Sequence, residues 1–258
     1  NTGEIISMVS VPDYNPNLII KKPNQDYWNE LLKNPHSPLI NRSIQGLYAP
    51  GSTFKMIVAF AGLQKGVINT KDSALCKGKI EFGDRFYHCW KTKGHGKIQL
   101  IRAIQESCDI FFYELSKKIG IENIAKIAKE LGLGQVLNLG LEIEKKGIVP
   151  TKKWKKEILK QNWYAGDTLN VGIGQGYVLS TPLQLAVMTA RIATNGKKIE
   201  PTIIKKNIKN SIKNINVENN HIKLIKNALY KAVNEEKGTA FKSRSDLYNF
   251  SGKTGTSQ

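Results

Sequence analysis

The chain has 258 residues, 40% of them hydrophobic, so a substantial core can be buried and global disorder is excluded. Its 39 Lys+Arg against 21 Asp+Glu give a formal charge of +18, a balance that suits nucleic acid, anionic lipid or an acidic polymer. Lysine recurs with asparagine and isoleucine throughout, as in NIKNSIKNINVENN at 207–220, which is a compositional bias rather than a basic face; no RNP-like aromatic motif, zinc finger or basic heptad array accompanies it, so no nucleic-acid partner is expected.

GEIISMVSV at 3–11 has strand character, and PDYNPN comes next as a turn-rich exit. Residues 15–48 are polar with scattered prolines and read as loop with short helical pieces. Pro50-Gly51 ends that loop and Ser52 is a favoured N-cap type, so a helix is expected from Ser52 to about Gly66. Residues 70–97 carry glycines and aromatics without a sustained period and read as an irregular insert. Helical spacing resumes at Ile98, Ile101 and Ile104, pauses at ESCD, and resumes with Phe112, Leu115 and Ile119; a further helix, IENIAKIAKELG, ends at Gly132. Residues 133–180 read as glycine-punctuated loops. Thr181-Pro182 opens a helix that Asn195-Gly196 closes, and another covers about 219–235. YNFSGKTGTS at the end reads as a strand. Strands at the two ends and helices between them predict an α/β or α+β class if the end strands share a sheet. The chain begins without Met and both ends read as cut, so the expectation is one domain, 1–258, of a longer protein.

Chemistry gathers around Ser52 and Lys55. Lys55 sits inside an apolar run, Phe54 and then Met56 to Ala61, where an ammonium is costly unless paired. Three residues apart on a helix, Ser52 and Lys55 share a face. That pairing offers a nucleophile and a base at a helix start, where backbone N–H groups favour developing negative charge. S-x-x-K alone is a weak signal, since about two chance matches are expected in a chain so rich in serine and lysine. Two later motifs supply the specificity: Ser107-Cys108-Asp109 lies between two helices, and Lys253-Thr254-Gly255 lies in the closing segment. S-x-x-K, S-D-N and K-T-G in that order mark serine penicillin-binding proteins and class A β-lactamases.

A second group is sparser. The chain's three cysteines, Cys76, Cys89 and Cys108, are spaced with His95 as Cys-x12-Cys-x5-His-x12-Cys. Three thiolates and an imidazole complete a closed tetrahedral zinc shell. The alternatives are a Cys76–Cys89 disulfide with Cys108 left as a buried thiol, or three free thiols; His88 is the alternative imidazole. Zinc here would pin the 70–97 insert to the middle residue of the Ser-Cys-Asp loop. Other stretches carry less. GIGQGY at 172–177 lacks the strand–helix switch of a dinucleotide site and reads as a tight loop. The aromatics of KKWKKEILKQNWYAGD read as packing groups and its lysines as a solvated face.

From TGEIISMVS through YAPGSTFK, GHGKIQLIRAIQESCDIFFYELSKKIGI and WYAGDTLNVGIGQGYVLSTPLQLA to GTA and SGKTGTS, the chain resembles the transpeptidase domain of class B penicillin-binding proteins, within them the elongation-type penicillin-binding protein 2 group. The resemblance implies a central antiparallel sheet flanked by helices beside an all-helical lobe. It implies a peptidoglycan D,D-transpeptidase that joins D-Ala-D-Ala stem peptides through an acyl-enzyme and is blocked by β-lactams, in a parent anchored in the bacterial inner membrane, with its catalytic domain in the periplasm, and partnered by a glycosyltransferase of the elongation complex. Ser52 would be the nucleophile, Lys55 its proton acceptor and Ser107 the relay to the leaving nitrogen. Lys253, Thr254 and Thr256 would hold the donor carboxylate. Backbone N–H groups of Ser52 and Thr256 would form the oxyanion hole, and Gly255 would let substrate approach the strand. Asp109 stands where the broad superfamily carries Asn, which puts its role in doubt, since a carboxylate cannot donate as an amide does. Some elongation-type members carry a metal at the cysteine positions, with Asp at one or more of them. Glu142 and Glu144 do not stand in the glutamate-bearing loop motif of class A β-lactamases. The competing functions are a serine β-lactamase and a non-catalytic β-lactam sensor or scaffold.

Overall fold

A computed structural model describes residues 2–20, 24–141, 143–205 and 212–256. Glu142 and Ser257, the last letter of SGKTGTS, lie outside them. The centre is α4, Lys55–Gln64, buried from Lys55 to Leu63. An element apolar on every side needs helices all round it, and α5 (Leu100–Gln105), α6 (Asp109–Ile119), α7 (Ile121–Glu130) and α11 (Asn219–Asn234) supply them. Phe60, Phe112, Ile57, Ile104, Ile110 and Ile119 fill the interior of this helical lobe.

Before α4 come α1 (Asn17–Ile20), α2 (Gln25–Lys33) and α3 (Arg42–Gln45), the short helical pieces expected of the polar lead-in. Three expectations shift. Ser52 does not cap a helix: it is the second residue of a 3-10 turn, Gly51–Phe54, that runs directly into α4. Gly51 opens that turn at φ +56°, a conformation that places the chain reversal one residue earlier than the Ser signal implied. Residues 70–97 are less irregular than their composition suggests. They form two antiparallel pairs, β1 (Ser73–Cys76) with β4 (Gly96–Gln99), and β2 (Lys79–Phe82) with β3 (Arg85–His88), the inner pair turning at Asp84 after Gly83. Strands of four residues are too short to display alternation. The 133–180 region holds two helices, α8 (Lys152–Ile158) and α9 (Ala165–Gly172), hidden from periodicity by their length.

The end segments are extended without being strands. Residues 3–11 make a single parallel bridge, Glu4 to Thr202, and Ile6 is fully exposed. The start of the closing segment is tied to α11: Gly252 N–H donates to Leu229 O at 3.2 Å and Asn234 Nδ2 to Phe250 O at 2.9 Å. A ladder needs a neighbouring strand to answer each N–H and C=O, and among the described residues neither segment has one. The class is α/β as expected, but among the described residues the antiparallel ladders are those of the insert, with only isolated antiparallel bridges elsewhere, such as Tyr48 with Ser180 and Ile148 with Leu179. For the two helices after Thr181 the expectations hold: Thr181 caps α10 (Pro182–Ala193) in a reciprocal box with Gln184, Asn195-Gly196 ends it in left-handed geometry, and α11 follows.

Candidate active site

Six chain segments meet in one cleft of ≈ 770 Å³: the Ser52 turn, residues 85–90 of the insert, the Ser107 turn with the start of α6, the end of α9 with the loop after it, Thr239, and the closing segment. Lys55 is wholly buried, and its Nζ donates to Asp109 Oδ1 at 2.7 Å, Ser107 O at 2.9 Å and Ser107 Oγ at 3.0 Å. Three acceptors take up the three donors of an ammonium, so a charge that would be prohibitive alone is compensated. Lys253 Nζ reaches the same Ser107 Oγ from the far side at 2.9 Å. Burial first, and the nearby Lys55 charge second, lower the Lys253 pKa to about 7.

Ser52 lines this cleft, and its hydroxyl has no hydrogen-bond partner among the described residues. Lys55 points past it to Ser107. The Ser52 and Thr256 backbone N–H groups are likewise unpartnered among the described residues. Thr254 Oγ1 pairs with Thr239 Oγ1 at 2.8 Å and lies 3.4 Å from Lys253 Nζ. Sequence reasoning missed Thr239, Trp90, Asn170 and Gln175, all of which line the cleft. Thr239 and Gln175 fall in the GTA and GIGQGY stretches, but neither residue type announces such a position.

Gly255 has a packing reason beside the substrate role expected of it. A Cβ there would stand 3.2 Å from Thr53 Cγ2, so the residue lets the closing segment lie against the nucleophile turn. Gly174, at φ +75°, performs the same service on the other side: a Cβ would come within 2.0 Å of Gly51 O, and Gly51 N–H donates to Gly174 O at 2.9 Å. Asp109 accepts on both oxygens, from Lys55 and from the Trp90 backbone N–H at 3.0 Å. An amide there would turn an N–H2 toward one of those donors. Glu144 is a loop brace, accepting from the Leu137 and Leu139 N–H groups.

The second group also assembles. One ligand atom each from Cys76, Cys89, His95 and Cys108 lies within 4.8 Å of all the others, all four residues buried. His95 Nδ1 faces Cys76 Sγ at 3.5 Å and Cys89 Sγ at 3.6 Å. The Cys108 thiol, with His95 beside it, holds Cys89 down at about 2, and the Cys89 thiolate pushes Cys108 up. No disulfide links them, and His88 is exposed, away from the group. The lysine-rich stretch before α9 departs from its reading. Lys155 is buried rather than solvated, paired to Asp167 Oδ2 at 2.6 Å and flanked by the Trp163, Tyr164 and Tyr177 rings.

A serine turn, a buried lysine, a second serine between two lysine amines and free backbone donors together offer the groups that acyl transfer to a serine requires. The chain belongs to the family described as the penicillin binding protein transpeptidase domain, which it matches over residues 1–258. It is similar to the peptidoglycan D,D-transpeptidase MrdA of Acinetobacter baumannii, 34% identical over 269 residues, covering 100% of this chain and 40% of that relative's length. Its fold is similar to that of a Pseudomonas aeruginosa PBP2 solved in complex with WCK 5153, with a TM-score of 0.92 at 35% identity over 100% of this chain and 61% of that one. It also matches Helicobacter pylori PBP2 solved with MreC, with a TM-score of 0.90 at 36% identity over 97% of this chain and 47% of that one.

Proposed function

We propose that this domain is the catalytic part of an elongation-type peptidoglycan D,D-transpeptidase. The observation that carries the reading is the position of Ser107 Oγ, which accepts from Lys55 and Lys253 at once. Both lone pairs of that hydroxyl are then occupied, and its single O–H is left to donate into the cleft. Ser52 Oγ attacks the penultimate D-alanine carbonyl while its proton passes to Lys55 acting as the free amine, and Lys55 hands that proton on to Ser107, whose own O–H proton serves the leaving group. The oxyanion forms against the Ser52 and Thr256 N–H groups, where each donor lowers the barrier by about 3 kcal/mol. Ser107 protonates the departing D-alanine nitrogen as the C–N bond breaks. An amine of a neighbouring stem then attacks the ester carbon, C–N forms, the Ser52 C–O bond breaks, and the serine regains its proton. Lys253, with Thr254 and its partner Thr239, receives the donor's terminal carboxylate.

The test is intact-mass measurement of the full-length protein after incubation with a penicillin. A lasting adduct that Ser52→Ala eliminates is the expected result. Absence of an adduct sinks the proposal, and rapid turnover of the drug marks a β-lactamase instead.

The four-residue Cys3His group fits structural zinc, a closed shell with no open position for substrate. Cys76, Cys89, His95 and Cys108 would hold the ion, which would compensate the thiolate charge and link the β1–β4 pair to the Ser107 turn. The chemistry at Ser52 needs no cofactor. No helix among the described residues is long and apolar enough to cross a membrane. The location we assign on the family likeness is the periplasm, in a parent anchored in the inner membrane. The H. pylori relative solved with MreC, and a neighbour solved within a peptidoglycan synthase complex that coordinates polymerization and crosslinking, support a parent that works in a larger assembly; the partner we assign to it there is a glycosyltransferase of the elongation complex.

A further inference from the structure

Ser107 is held in a conformation that serine does not adopt on its own. Its φ is +53°, in the left-handed region where a non-glycine residue is strained, and it is buried. Such a turn persists only when its surroundings over-determine it. Much of that outside hold comes from one residue, Trp90. Its indole Nε1–H is shared between Glu106 O at 3.0 Å and Ser107 O at 3.1 Å, and its backbone N–H donates to Asp109 Oδ2 at 3.0 Å. Two of the three acceptors that Lys55 uses, Ser107 O and the Asp109 carboxylate, are therefore shared with Trp90.

Trp90 is itself fixed. It comes directly after Cys89, and its ring stands edge-on to His95 with centroids 5.5 Å apart. One side of the ring remains exposed and lines the cleft. An aromatic wall that only touched substrate would need no hydrogen bond from its N–H to the carbonyl behind the relay serine.

We infer that Trp90 is a positioning residue for acylation: its indole N–H holds the strained Ser107 turn so that Oγ stays between Lys55 and Lys253. This rests on the transpeptidase reading above. Removing the indole donor leaves Ser107 O with Lys55 alone and lets the turn relax toward ordinary backbone geometry. The ring's contact with substrate is a separate matter, and the two separate kinetically. Loss of the wall weakens binding, whereas loss of the strut slows the covalent step.

The test uses the full-length protein and a fluorescent penicillin, resolving the dissociation constant of the initial complex from the acylation rate constant. Trp90→Phe keeps a ring and the backbone N–H but removes the indole donor. A benzothienylalanine at the same position keeps the bicyclic shape and removes only the N–H, which covers the case in which phenylalanine packs poorly. The expected result is a fall of roughly fivefold to tenfold in the acylation rate constant, the scale of one lost hydrogen bond. The dissociation constant and melting temperature should stay close to wild type. An unchanged rate constant in both variants, or a loss confined to the dissociation constant, overturns the inference while the transpeptidase reading stands. A wild-type protein that forms no adduct removes both.

Discussion

Lys253 and Lys55 lie on either side of one hydroxyl, and their burial separates their duties. Lys55 is locked by three acceptors, one of them a carboxylate. Lys253 has the Ser107 hydroxyl and Thr254 oxygens, and no carboxylate of its own within bonding distance among the described residues. With a pKa lowered to about 7, its ammonium is present below that pH and fades above it. The affinity of the free site for a penicillin carboxylate should therefore weaken as pH climbs through about 7, and Lys253→Gln should flatten that dependence. Initial-complex dissociation constants measured across this range check it; equal slopes in the two proteins refute it. The stability consequence has the opposite tendency. Between about 7 and the ordinary lysine value near 10.5 the unfolded chain binds the proton that the folded one has released, so this group's contribution to stability rises with pH over that window. The motif serines and lysines were legible because acyl transfer demands those residue types at those spacings. Trp90 and Thr239 were not, since a tryptophan or threonine in a loop carries no pattern until its partners are known.

At the scale of elements, the nucleophile turn is held from both flanks by glycines that exclude a side chain. Gly174 puts the loop after α9 against Gly51, and Gly255 puts the closing segment against Thr53. The α9 side depends in turn on Asp167, which accepts from Tyr164 N–H at 2.8 Å at the helix start and pairs with buried Lys155. Asp167→Ala strands an ammonium among three rings and removes a cap at once. Breaking a buried pair from one side costs about 3–5 kcal/mol, so urea unfolding should show a loss of that order, with acylation slowed because Asn170 and Gln175 lose their seat. A loss under about 1 kcal/mol, the value of an exposed pair, would mean that Lys155 finds another partner. The sequence suggested solvated lysines here because helix α8 is too short to show which of its faces turns inward.

Across the whole molecule, the Cys3His group joins the insert to the helical lobe. Cys76 and Cys89 come from the two hairpins, His95 from the return before β4, and Cys108 from the turn between α5 and α6. Those strands of four residues bury few of their side chains, so the proposed zinc would supply by cross-linking the hold that a core would otherwise give. Metal analysis should find one zinc per chain, lost in Cys108→Ser. Chelation should lower the melting temperature and open the 77–93 loop to protease. Stoichiometric absence of zinc in protein purified without chelator, or an unaltered protease pattern after stripping, contradicts the assignment.

What the residues alone determined was chemical: a nucleophile and lysine one turn apart, a second serine, a closing Lys-Thr-Gly, and a candidate thiolate shell. These stem from the side-chain types that the reactions require, and their order along the chain made them specific. Tertiary structure decided where the hydrogen bonds go. It turned the expected end strands into extended segments, one of which answers to α11, made the serine part of a 3-10 turn, and set Asp109 as a double acceptor. Those outcomes depend on which backbone and side-chain groups face one another across long stretches of chain, and a linear pattern does not record that.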